Sequence, residues 1–246
     1  YVWSNTKRRP YVCELRDLWP ESIAAVGAVK APRVIDALEK LELFLYRNSS
    51  AVVSVTNAFR ENLSGRGIDP SKVEVVTNGA DLARFEPRPR DAPPSAELGL
   101  DGKFVAGYIG THGMAHALET LIEAAHILQQ RPDAQHIRLL LLGDGARKAA
   151  VKARAAELGV TNVVFVDTVK KEEVARYWSL LDVSIIHLKK TDLFTSVIPS
   201  KLFEGMAMGI PVLHGVLGES AAIVERDGAG IVFEPENAEA LAKELL

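Results

Sequence analysis

From about residue 100 onward, short runs of Val, Ile and Leu alternate with longer segments whose apolar positions recur every three or four residues. The runs cover 104–109, 137–142, 163–166, 183–188, 211–213 and 230–233; the segments between them cover 115–130, 146–158, 171–180, 199–208, 220–226 and 238–246. A strand written as an unbroken apolar run is buried on both faces, as in a parallel sheet covered by helices. Regular alternation of such runs with helical segments marks repeated βα units. The pattern predicts a doubly wound, Rossmann-like α/β domain in this half.

The first part carries the theme more weakly, with strands expected at 11–14, 51–55 and 73–76 and helices at 33–46 and 57–63. The second helix should stop at Ser64-Gly65-Arg66-Gly67, a glycine-rich end. These units make only part of a domain. Between Phe85 and Gly99, four prolines fall within Glu86 to Ser95 with little to bury, which reads as an extended linker. The expected division is therefore 1–90 for a partial domain plus the start of the linker, and 91–246 for a complete one.

Composition narrows the class. In 246 residues, 48% are hydrophobic and 25% charged, as in globular proteins with a sizeable core. A net charge of −3 argues against a nucleic-acid partner, although the first ninety residues carry +3 and the remainder −6. The single cysteine, Cys13, excludes an intrachain disulfide and a multi-cysteine metal site, and suits a reducing cytoplasm. No apolar run approaches the roughly 18 residues of a spanning helix, and no signal peptide is visible. The start at Tyr1 and the uncapped end at Leu246 read as those of a fragment.

Candidate chemistry gathers where strands end. The strand at 104–109 runs into Gly110-Thr111-His112-Gly113 and a helix, a turn whose N–H groups suit phosphate oxygens, or else an ordinary tight βα turn. His112 and His116 have the i, i+4 spacing of metal ligands but lack the glutamate of the zinc-protease pattern, so a polar role beside that turn is the better use. Gly143-Asp144-Gly145 opens like a dinucleotide fingerprint, but its third glycine would fall at Lys148. In Ile198-Pro199-Ser200-Lys201-Leu202-Phe203-Glu204, proline at the first turn gives a helix N-terminus that adds N–H donors to an ammonium. Glu204 lies one turn into a small, apolar helix, where its carboxylate needs ligand hydroxyls or a pairing with Lys201 at i, i+3. Walker A and Gly-x-Ser-x-Gly patterns are absent, which argues against an NTPase and a serine hydrolase.

Seven stretches together resemble the retaining glycosyltransferase family 4 of GT-B fold, and within it the WbuB-type enzymes of O-antigen and capsule assembly. They are Glu14–Glu21, Val55–Phe59, Val76–Asp81, Gly107–His116, Gly143–Gly145, Ile198–Val212 and Ala229–Val232 with Glu234–Asn237. The block from Pro199 to Val212 is the most specific. The resemblance implies two Rossmann-like domains, the N-terminal one only partly present, with a C-terminal domain binding a nucleotide sugar, commonly UDP-linked. Glu204 would hold the ribose hydroxyls, and Gly110 to Gly113 with Pro199, Ser200 and Lys201 would cradle the diphosphate. The Gly143-Asp144 turn would edge the donor site, and the base would lie against Val166, Asp167, Thr168 and Val169. No metal or other cofactor is implied, so Lys201 and the helix ends would stabilise the leaving nucleotide.

Three departures qualify the match. The glutamate usual eight positions before Glu204 is Ser196 here; the customary Arg and Lys of the first phosphate turn align with Thr111 and His116; and the family's first N-terminal βα units are not in this sequence. The sequence also places Arg16, Asp17, Trp19 and Glu21 after a strand, within reach of an acceptor, with Trp19 expected to pack. The helix at 33–46 is expected to pack internally or to touch a membrane.

The expected activity is transfer of a hexosyl or N-acetylhexosaminyl group to a lipid-linked or saccharide acceptor in cell-surface polysaccharide assembly. That would take place in the cytoplasm, with peripheral contact to the inner membrane as a further option. The alternatives are a UDP-sugar 2-epimerase of the same layout and a donor-binding module that needs a partner for its acceptor domain.

Overall fold

Strands apolar along their whole length must be covered on both sides, as the central strands at 104–109 and 137–142 are. The computed structural model describes every residue except Val26, Ala28 and Lys30. Two compact units result, one of Tyr1–Asn78 with Thr191–Ile198, the other of Gly79–Lys190 with Pro199–Leu246.

The first unit contains α1 (Val2–Lys7), β1 (Val12–Leu15), α2 (Glu21–Ala25), α3 (Pro32–Asn48), β2 (Ala51–Ser54), α4 (Asn57–Gly65) and β3 (Val73–Val75). Its strands are parallel in the order β1-β2-β3, with Val12 opposite Ala51 and Val52 opposite Val73. Phe59 and Leu63 of α4 close over Val52 and Val73, and Leu193 and Val197 of the later segment join them. Thr56 starts α4 by accepting from the Phe59 N–H at 3.0 Å, as an N-cap hydroxyl does. Leu18 fills the core while Trp19, expected to pack, stands exposed. The amphipathic α3 buries Glu42 and Tyr46 but leaves Val34, Leu41 and Phe44 in solvent. Among the described residues no helix is long and apolar enough to cross a membrane.

In the second unit lie α5 (Ala92–Glu97), β4 (Phe104–Ile109), α6 (Glu119–Gln129), β5 (Ile137–Leu142), α7 (Lys148–Glu157), β6 (Val163–Val166), α8 (Val174–Trp178), β7 (Val183–His187), α9 (Lys201–Ala207), β8 (Val212–Gly215), α10 (Glu219–Arg226), β9 (Gly230–Val232) and α11 (Ala238–Glu244). The six strands are parallel in the order β6-β5-β4-β7-β8-β9. Strand order reverses between β4 and β7, and ligands of doubly wound sheets bind beside the carboxyl ends at such a point. One core packs α6, α7 and α11 against one face, through Leu121, Ile122, Val151 and Leu241. The other face is covered through Trp178, Leu180 and Met208.

The boundary differs from the one expected. The chain passes between units at Asn78–Gly79, so residues 79–90 belong with the second unit, and the expected linker is structured. Prolines are tolerated in a first helical turn because its N–H groups have no partner there. Pro93 and Pro94 accordingly sit at the start of α5. Phe85 is buried in the second core. Arg90 donates to the carbonyls of Leu100 (3.3 Å) and Lys103 (3.1 Å) and to Asp182 (2.6 Å), whose carboxylate also accepts from Val105 N–H at 2.7 Å. Arg90→Ala strands these acceptors and should destabilise the second unit by about 1.5–3 kcal/mol. Urea denaturation followed by tryptophan fluorescence, with Trp178 reporting from this core, checks it.

Candidate functional site

The carboxyl ends of β4, β5 and β6 are held together by their backbones, and glycine makes that possible. Gly110 N–H donates to Leu142 O (2.8 Å), His112 N–H to Asp144 O (2.8 Å), and Gly143 N–H to Val166 O (3.1 Å). Gly110, Gly143 and Gly145 have φ of 146°, 143° and 154°, which side-chain-bearing residues rarely adopt. A Cβ on Gly145 would stand 2.5 Å from the His112 carbonyl oxygen. Lys148 takes the place of a third fingerprint glycine; its ammonium donates to Gly143 O at 2.6 Å and to Asp167, tying two strand ends together.

Between these loops opens a cleft of about 340 Å³, lined by Gly110, Thr111, Gly143, Asp144, Thr168 and Val169, with Lys171 and Val174 at its side. Six of the expected donor-site residues are thus brought to one place. Lys171 escaped the sequence reading, since nothing in its local pattern points to β4.

Lys201 reaches the cleft's edge from the start of α9. Its stem lies against Gly110, where any Cβ would overlap it. Its ammonium donates to the Tyr108 hydroxyl at 3.2 Å and stands 4.7 Å from the Tyr108 ring centroid. Burial holds the Lys201 amine down at about 8, against a smaller opposing pull from Glu204. Tyr108, another residue the sequence reading passed over, donates to Thr111 O at 2.7 Å, and its phenol is pushed up by burial.

Glu204 is half-buried, and among the described residues its carboxylate has no hydrogen bond or ion pair, not even to Lys201. Burial raises its pKa, opposed by Lys201, Arg84 and Lys171. A half-buried carboxylate facing three cations without touching one is poised to accept from a ligand.

One expectation is corrected by geometry. The helix expected from residue 115 begins at Glu119, because Ala117 takes a positive φ of 44°. The segment Gly110–Gly113 is therefore a free-standing loop, with N–H groups of Thr111 and Gly113 lacking a backbone partner among the described residues. Ser196 belongs to the first unit, in a short 3-10 turn, and donates its hydroxyl to Leu193 O at 2.6 Å. Pro199 and Ser200 do belong to the second unit, immediately before α9.

The histidines differ in their surroundings. His112 is fully buried, with neither ring nitrogen partnered among the described residues, and burial, Lys148 and Lys201 lower its pKa. His116 is held at about 4, mainly by burial and then by Lys201. His187, for which the sequence showed no pattern, accepts from Glu236 N–H at Nε2 (2.9 Å), so its Nδ1 carries the proton donated to His116 O (2.8 Å). Its contacts lie 49 and 71 residues away in sequence, which is why no local signal existed.

With this geometry in place, sequence comparison decides the family. The profile described as "Glycosyl transferases group 1" matches residues 103–246, more than half of the chain, and "Glycosyl transferase 4-like domain" matches residues 2–79. The chain belongs to the group 1 glycosyl transferases. Similar members include a D-inositol 3-phosphate glycosyltransferase of Nocardia farcinica, 29% identical over 90% of this chain and 49% of that protein. Another is WcaL of Escherichia coli K12, provisionally named a colanic acid biosynthesis glycosyltransferase, 28% identical over 82% of this chain and 48% of its own length. The chain spans about half the length of these curated group 1 relatives. Among solved structures, Anabaena HepE in complex with UDP-glucose aligns with a TM-score of 0.77 at 22% identity, over 99% of this chain and 64% of HepE. That likeness establishes the α/β fold with two parallel sheets, of the GT-B class.

Proposed function

We propose that this group 1 chain carries the nucleotide-sugar site of a retaining glycosyltransferase, with UDP as the nucleotide, acting in assembly of a cell-surface polysaccharide such as O-antigen or capsule. The observation that carries the reading is the Lys201 ammonium lodged against Gly110 at the switch point, beside a cleft walled by glycine backbone. The binding of UDP-glucose by a structural neighbour supports the choice of ligand.

In this reading the base lies in the cleft against the stretch Val166 to Val169, and the Glu204 carboxylate accepts from the ribose hydroxyls. The unpartnered N–H groups of Thr111 and Gly113, the start of α9 at Ser200, and Lys201 face the two phosphates. As the bond from the anomeric carbon to the diphosphate oxygen breaks, negative charge grows on the leaving UDP. A cation already in place, in a partly dry site, stabilises that charge without reorganisation. Lys201 takes this role with no metal ion required. The acceptor, a lipid-linked or soluble saccharide, delivers its hydroxyl to the sugar face of the donor, and transfer keeps the anomeric configuration. A cytoplasmic enzyme touching the inner membrane peripherally fits a lipid-linked acceptor.

Calorimetric titration with UDP, GDP and ADP, first without metal and then with magnesium, tests the reading. Selective, metal-independent UDP binding is expected; a folded sample that binds none of the three overturns it. Glu204→Gln keeps the shape but loses charge-assisted hydrogen bonds and should weaken UDP by about 1.5–3 kcal/mol. Equal affinities for UDP and for a 2′,3′-dideoxy analogue in the variant, against unequal ones in the native chain, would tie that loss to the ribose.

A further inference from the structure

Around the Tyr108 ring stand three groups able to carry a proton. The His112 and His116 ring centroids each lie 5.9 Å from it, one tilted and one edge-on, and the Lys201 ammonium lies 4.7 Å from it. His116 and Lys201 flank the Gly110–Gly113 loop. The stem of Lys201 covers Gly110, and His116 Nδ1 would be 3.3 Å from a Cβ placed on Gly113. That nitrogen is buried with no partner among the described residues. The His116 backbone is fixed at both ends, its N–H bonded to Gly113 O at 3.2 Å and its carbonyl accepting from His187 at 2.8 Å. An oriented, unpartnered imidazole nitrogen beside an anion loop is an odd place to leave an acceptor, and a useful one for a donor.

We infer that His116 takes up a proton when a diphosphate enters the Gly110–Gly113 loop, so that donor binding is proton-linked and the second cation of the site is supplied by the binding event itself. The inference rests on the donor-site reading above. The groups facing His116 are Lys201 from α9, His112 from its own loop, His187 from β7 and Tyr108 from β4; none of them is an anion. His112 in turn faces Lys148, Asp144 and Lys201. In the empty site this surrounding keeps His116 neutral at physiological pH. An incoming diphosphate inverts the local field. A unit negative charge about 4 Å away at intermediate dielectric raises proton affinity about a thousandfold, enough to bring a group that titrates near 4 to near 7. The proton comes from solvent, and the Nδ1–H then donates to a phosphate oxygen.

The sign follows directly. A group protonated in the complex and neutral in the empty site makes binding tighter as pH falls. Affinity rises up to tenfold per pH unit below the pKa in the complex and levels off at the pKa in the empty site. Lys201, already charged at pH 7, adds little exchange there and dominates only above about pH 8.

The test is calorimetric titration of the full chain with UDP-glucose at pH 6.5 in buffers of different ionisation enthalpy. UDP-glucose is the probe because a diphosphate diester lacks the terminal phosphate proton that titrates near pH 6, so all exchange belongs to the protein. Uptake of about 0.5–1 proton per UDP-glucose is expected at pH 6.5, where Lys201 is already charged and contributes little. In His116→Gln, uptake at pH 6.5 should vanish, and affinity should no longer change between pH 5.5 and 7. Binding of UDP-glucose by the native chain with no proton exchange overturns the inference while leaving the donor site intact. Uptake that persists in His116→Gln overturns the assignment to His116. No binding of either UDP or UDP-glucose counts against the donor-site reading instead.

Discussion

Gly143→Ala should lower the melting temperature of the second unit by about 6–12 °C and weaken UDP binding more than tenfold. The backbone at Gly143 has φ of 143°, and a Cβ there would stand 2.8 Å from the Gly110 carbonyl carbon and closer still to its oxygen. What it meets is main chain, which cannot swing aside as a flexible side chain does. The β4 loop must shift, at a cost of about 3 kcal/mol, and each kcal/mol moves the midpoint of a domain this size by roughly 2–4 °C. Gly159→Ala is the matched control, because Gly159 also has a positive φ, of 63°, but a Cβ there meets nothing within 4 Å. It should cost about 1–2 kcal/mol from backbone conformation alone and leave UDP affinity unchanged. Thermal unfolding by circular dichroism and UDP titration on both variants check the pair. Equal losses of stability would mean that the interlock of the two loops contributes nothing beyond φ.

That interlock also shows where the sequence was legible and where it stopped being so. The strands 104–109, 137–142 and 163–166 agree with their apolar runs to the residue, because a strand covered on both faces has to be written in apolar letters throughout. Positions set by local chemistry were readable too, such as the Gly110, Gly143 and Gly145 turns. Features set by distant contacts were not. The proline-rich stretch reads as a linker and conceals α5, because the first turn of a helix accepts prolines that its interior would not. The start of α6 slipped four residues because no local signal announces a positive φ at Ala117. Tyr108, Lys171 and His187 gain their places only when β4, β6 and β7 are laid side by side.

Lys201→Met should abolish tight donor binding while making the empty protein more stable. An ammonium of depressed pKa is a cost to the fold, since the unfolded chain holds that proton more tightly than the native one. Lys201 titrates at about 8 in the fold against 10.5 when free. Below pH 8 both states are protonated and the penalty is complete. Between pH 8 and 10.5 the unfolded chain binds more protons, so stability rises with pH; above that window the penalty is gone. Discounted for partial exposure and for the lost contact with Tyr108, the gain from methionine at pH 7 is about 1 kcal/mol, or roughly 2–4 °C in melting temperature. It should disappear by pH 10.5. Donor binding should move the other way, with UDP affinity down at least a hundredfold at pH 7, because the partly buried cation facing the diphosphate is gone. In the native chain that affinity should fall about tenfold per pH unit above 8, as the ammonium loses its proton, and the methionine variant should show no such slope. Calorimetry across pH 7–9.5 with parallel thermal melts separates the outcomes. A variant that is destabilised and still binds UDP would make Lys201 a structural residue. A variant that is stabilised and silent to UDP would mean the fold tolerates a strained cation because the diphosphate needs it.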